Sequence, residues 1–155
     1  MMKMIVEVLP SYRIAYVRQV GPYGPANIQA MEKLKQWARE KKLFTESAIL
    51  LAFPQDNPET TLPEACRYDA GIVLPKDYQM DDSLCENELS GGQYAVFKVN
   101  HTVEGVQRAW AEIFPAIQNS GYQIDNKPII ERYAGDMMAN EFCELCVPVK
   151  EEGRV

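Results

Sequence analysis

The sequence predicts an α+β fold: duplicated βαββ units forming a pseudo-two-fold, mainly antiparallel sheet with two long helices and a central groove. Two stretches, 26–41 and 103–119, carry apolar residues at helical spacing. Each follows a strand-like segment and precedes two more. The second half also repeats the first in register. "YRIAYVRQ" places Ala15 against Ala95 of "GQYAVFKV", Met31 falls near Trp110 in the helices, and Pro75 matches Pro148 at the closing strands.

The elements follow in order. Residues 4–8 and 12–20 are rich in β-branched and aromatic side chains and read as strands. "GPYGP" at 21–25 breaks the chain, and Pro25 suits a first helical position. Ile28, Met31, Leu34, Trp37 and Ala38 then make one helical stripe. Strands at 47–54 and 67–75 flank the polar loop 55–64. In the second half, 91–99 is a strand. The stripe Val106, Ala109, Trp110, Ile113, Phe114 and Ile117 forms a helix in which Pro115 should kink or distort the backbone. Strands at 127–133 and 142–149 close the chain. One domain is expected over residues 1–150, with repeats at about 1–75 and 85–150 and a flexible tail at 151–155. A groove is expected where the halves meet.

Composition narrows the function. The 155 residues are 46% hydrophobic and 25% charged, enough apolar material for a sizeable core. No apolar run reaches ~18 residues, and the start lacks the apolar segment of a signal peptide, so a cytoplasmic protein with no membrane contact is expected. The net charge of −6 argues against direct nucleic-acid binding and favours cationic or neutral ligands. The basic residues of "KLKQWAREKK" alternate with acids on a helix and read as a solvated face. Cys143 and Cys146 form a CxxC, but with no second pair and the single His101 far away in sequence, neither a metal nor a cofactor is expected. In a strand these two thiols face opposite sides and pack.

"EFCELCVPV" at 141–149 places Glu144 inside an apolar strand. A buried carboxylate needs compensation. Either Arg67, Arg132 or a lysine on a neighbouring strand pairs with it, or it faces a ligand. Counting back from the matched prolines gives Gly71 as its counterpart, which would leave a void opposite it. Glu131, Asp69 and Arg67 read as strand-to-strand polar pairs, and Trp37 as core. No nucleophile–base pair or metal cluster supports catalysis.

Four segments resemble the GyrI-like family of DNA gyrase inhibitory proteins and effector domains of AraC-type and MerR-type regulators. They are "VGPYGPANIQAMEKLKQWA", "FPQDNPETTLPEACRYDAGIVLP" with its D-x-P loop and R-Y-D strand, "GGQYAVFKV", and "KPIIERY" with "FCELCVPV". The resemblance implies a groove in which a glutamate of the last strand, here Glu144, meets cationic ligands between aromatic walls. The corresponding wall residues are Trp110, Tyr133, Tyr68 and Phe53, with Tyr16 and Phe114 also candidates. It implies binding of lipophilic, cationic or aromatic small molecules for sensing or sequestration. Two alternatives come with it: a hydrolase of strained electrophiles, with Glu144 as base and Tyr133 or Tyr68 as proton donor, or an inhibitor of DNA gyrase. No helix-turn-helix segment is visible, so a stand-alone module, monomer or homodimer, that works through gyrase or a separate regulator is expected.

Overall fold

A computed structural model describes residues 3–56, 59–134 and 142–151. In chain order the elements are β1 (Ile5–Leu9), β2 (Tyr12–Val20), α1 (Pro25–Glu40), β3 (Ile49–Pro54), a short 3-10 turn (Pro63–Ala65), β4 (Arg67–Val73), β5 (Cys85–Leu89), β6 (Gly92–Asn100), α2 (Val103–Asn119), β7 (Tyr122–Ile124), β8 (Ile130–Ala134) and β9 (Phe142–Glu151). Asn57 and Pro58 of the D-x-P loop and residues 152–155 of the expected tail lie outside the described residues. Residue 151, placed in that tail by sequence, belongs to β9, which pairs with β7 through Tyr122 and Glu151.

The strands form one curled antiparallel sheet in the order β1-β6-β9-β8-β3-β4-β2-β5, with β7 added beside β9. The duplication is visible in this order. β2, β4 and β3 of the first half mirror β6, β9 and β8 of the second, and β3 meets β8 at the seam. The two halves also exchange strands. β1 pairs with β6, and β5 pairs with β2. Sequence reading missed β5 because "CENEL" carries no apolar face. As an edge strand it needs none, and its charges keep that edge from pairing further.

Strand alternation divides the core in two. On the helix side, Ala15, Ala52, Ala70 and Ala95 are fully buried under Leu34, Trp37 and Ala38 of α1 and Ala109, Ile113 and Ile117 of α2. Small side chains there let the helices approach the sheet closely. On the other side the curled sheet closes over Leu51, Phe53, Tyr94, Val96, Ile130 and Cys146. Cys143 and Cys146 are accordingly buried on opposite faces, and burial pushes both thiols up to about 12.

Local signals fix the helix ends. Gly24 precedes α1 with φ 150°, a backbone conformation that favours glycine, and Pro25 takes the first helical position. Thr102 caps α2 by accepting from the Gly105 amide at 2.9 Å. α2 continues through Pro115 to Asn119. Pro115 stands on the exposed side of the helix, where the carbonyl left without its helical donor is open to solvent.

The ladders correct one alignment. Arg18 lies opposite Asp69 across β2–β4, and Lys98 lies opposite Glu144 across β6–β9. With Ala15 matched to Ala95, Arg18 matches Lys98, so the counterpart of Glu144 is Asp69 and not Gly71. The space at Gly71 is filled as well. A Cβ there would meet the Ala15 carbonyl at 3.4 Å and the Phe53 ring at 3.6 Å.

Candidate functional site

Along β8, Ile130 and Arg132 point to the curled side of the sheet and Glu131 and Tyr133 to the helix side. α1 packs on β2 and β4, whereas α2 packs on β6 and β7. The β3–β8 seam between them is therefore not covered by either helix. A cavity of about 360 Å³ opens over it, within the range of small-molecule sites. Its floor is Leu50 of β3, Tyr68 of β4, and Glu131 and Tyr133 of β8. One wall is α1, through Asn27, Ile28, Met31, Glu32 and Lys35, and His101 from the turn before α2 closes the rim.

The polar groups are linked. The Tyr133 hydroxyl donates to Glu131 Oε2 at 3.0 Å and stands 3.0 Å from His101 Nε2, with the two rings edge-on at 5.1 Å. Burial pushes the Glu131 carboxyl above the usual carboxylate range, and the Tyr133 hydrogen bond and the nearby His101 offset only part of that rise. Burial and the Glu131 charge raise Tyr133, and burial raises Tyr68, so both phenols keep their protons at neutral pH. Lys35 is tied to Glu32 at 3.4 Å. Asn27 Oδ1 is buried and has no hydrogen-bond partner among the described residues. The site thus presents a desolvated carboxyl and two phenol rings.

Of the residues singled out from sequence, Tyr68 and Tyr133 line this cavity together. Glu144 lies on the opposite side of the sheet, where it accepts from Arg132 Nε at 2.9 Å, and Arg132 also holds Glu7 through two contacts of 3.1 Å. That side carries a matching pair in the first half, Asp69 bound by Arg18 at 2.7 and 2.8 Å. Arg67 pairs with Asp56. Phe53 is 2% exposed in the core of the curled side, and Tyr16 packs against the same core with the Arg18 guanidinium 5.6 Å from its ring. Trp110 stacks on Phe114 at 5.7 Å on α2, away from the cavity. Phe114 is 44% exposed and borders a shallow apolar groove with Ile117, Tyr122 and Ile124. Glu131, read from sequence as a strand-to-strand polar pair, instead bonds Tyr133 of its own strand and faces Ala52 and Leu145 on the neighbouring ones, and His101 entered the sequence reading only as too remote for a metal site. Strand periodicity held the signal for Glu131, which is two residues from Tyr133 and shares its face.

A family of known domains matches this architecture. Residues 2–150 match the GyrI-like small molecule binding domain. The chain is 43% identical over 150 residues to YosT, an SPbeta prophage-derived protein of Bacillus subtilis (strain 168) whose name calls it a transcriptional regulator, covering 96% of this chain and 100% of that one. It is 28% identical over 134 residues to DNA gyrase inhibitor 2 of Dickeya dadantii (strain 3937), covering 84% and 83%. Among solved structures, the C-terminal domain of EcmrR superposes with a TM-score of 0.74 at 10% identity, over 97% of this chain and 99% of that one. The chain belongs to the GyrI-like small molecule binding domain family.

Proposed function

We propose that the chain binds lipophilic, cationic or aromatic small molecules in the seam cavity, for sensing or sequestration, with Glu131 as the selecting charge. The observation that carries this is the placement of Glu131: a desolvated carboxyl facing an open cavity, flanked by two phenol rings and held by a tyrosine rather than an arginine. A ligand cation would compensate the carboxylate at reduced dielectric, and each ring face adds about 0.5–2 kcal/mol of cation–π attraction. Glu144, already paired with Arg132, is not needed for this role. The names of the two relatives, a transcriptional regulator in one case and a DNA gyrase inhibitor in the other, support a protein partner as well, DNA gyrase or a separate regulator.

Titration calorimetry with methyltriphenylphosphonium tests the reading. Glu131→Gln should weaken binding about 10–100-fold, roughly 1.4–2.7 kcal/mol, while Glu144→Gln should stay within about twofold. Equal losses in both variants would contradict it. A hydrolytic reading has one observation in its favour, the 3.0 Å contact that pairs Glu131 as base with Tyr133 as proton donor. Turnover of a strained electrophile by the wild type but not by Glu131→Gln would establish it.

A further inference from the structure

We propose that His101, Tyr133 and Glu131 form a proton chain that ties the ionisation of the cavity carboxyl to the tautomer of an imidazole at the rim. The inference rests on the cavity reading above and adds how the site discriminates ligand charge. The phenol stands 3.0 Å from both neighbours, and a phenol has one proton to give. Two arrangements satisfy all three groups. In the first, Tyr133 donates to the Glu131 carboxylate and accepts from an Nε2–H imidazole. In the second, the Glu131 carboxylic acid donates to the phenol oxygen, and Tyr133 donates to an unprotonated Nε2, with the imidazole proton on Nδ1. Conversion from the second to the first takes the carboxyl proton into Tyr133, passes the phenol proton to Nε2, and releases the Nδ1 proton to water. His101 is exposed, so that last step has a solvent outlet.

The surroundings leave the chain as the route that responds. From α1, Glu32 and Lys35 face the cavity, and they are tied to each other. From β4 comes Tyr68 and from β9 Cys143, both neutral because burial raises them. Burial likewise favours the neutral form of Glu131, which draws the balance toward the acid arrangement. A cationic ligand needs the carboxylate. It is therefore admitted with loss of one proton through His101, whereas a neutral ligand of the same shape is admitted without it.

His101 is the single histidine, so its ring nitrogens can be read without assignment ambiguity. In the ligand-free full chain, 15N spectra recorded across pH should show the Nε2 signal following the ionisation of Glu131. That step should vanish in Glu131→Gln and in Tyr133→Phe. If the step survives in either variant, the chain is refuted. These variants need only fold, which the amide spectrum reports at the same time. One equivalent of methyltriphenylphosphonium should drive the imidazole to the Nε2–H form, and its affinity should rise about tenfold per pH unit below the Glu131 midpoint. Triphenylphosphine oxide, a neutral analogue, should do neither. Cation binding that depends on Glu131 but leaves the imidazole signals unmoved would overturn the proton chain and keep the cavity reading. Absence of cation binding would overturn the cavity reading, while the ligand-free titration still decides the chain.

Discussion

Glu131 and Glu144 show how two glutamates on adjacent strands of one sheet take opposite roles. β8 and β9 pair with Arg132 opposite Glu144, which fixes that couple on the curled side and leaves Glu131 and Tyr133 on the helix side. Glu131 therefore destabilises the fold when it ionises. Its folded-state pKa is raised, so between the ordinary glutamate value and that raised value the folded protein holds a proton the unfolded chain has lost. Stability falls as pH rises through this window. Glu131→Gln should melt higher than wild type at pH 7, and the advantage should disappear below the ordinary glutamate range, where both states are protonated. Thermal melts at several pH values check this. Arg132→Met leaves Glu144 and Glu7 without their partner. Arg132 is buried but Glu7 is 40% exposed, so the loss should be about 2 kcal/mol, between the ranges for surface and buried pairs, measured by urea unfolding. Tyr68 and Tyr133 came out of the sequence through the family resemblance, as candidate wall residues of the groove. The choice between the two glutamates could not be made there, because it depends on the β8–β9 register, which sets Arg132 opposite Glu144 and which no local pattern reports.

At the scale of elements, both helices and most strands were legible from periodicity, since each has an apolar face to hide. α2 spans the residues expected from its stripe, but only part of that stripe is buried. Ile113→Ala removes a fully buried side chain beneath the helix and should cost about 2–5 kcal/mol. Phe114→Ala, one residue away and half exposed, should cost about 1 kcal/mol or less. A comparable loss for both would mean that α2 sits on a different face. β5 and β7 escaped sequence reading for a shared reason. Both are defined by the strand beside them: β5 carries no apolar face, and the alternation of β7, Tyr122–Ile124, spans only three residues.

The whole molecule is held together by its exchanged strands. β1 completes the second half and β5 completes the first, so neither βαββ unit is finished without the other. Residues 1–84 alone lack β5 and the seam partner β8, and should give no cooperative melt by circular dichroism, whereas adding the other half in trans should restore one. The same pseudo-symmetry creates the site. Two helices packed on the outer strands of their halves leave the central seam open, and the first half places Ala52 opposite the carboxylate that the second half supplies. The groove between halves was legible in the duplication, whereas its lining by α1 and His101 depends on where each helix lies across the sheet. A crystal structure with methyltriphenylphosphonium decides whether this seam cavity, with Glu131 in its floor, is where a cation binds. The phosphonium centre should lie within about 6 Å of the Tyr68 or Tyr133 ring and face the Glu131 carboxylate. A cation bound beside Glu144, with the seam cavity empty, would contradict this.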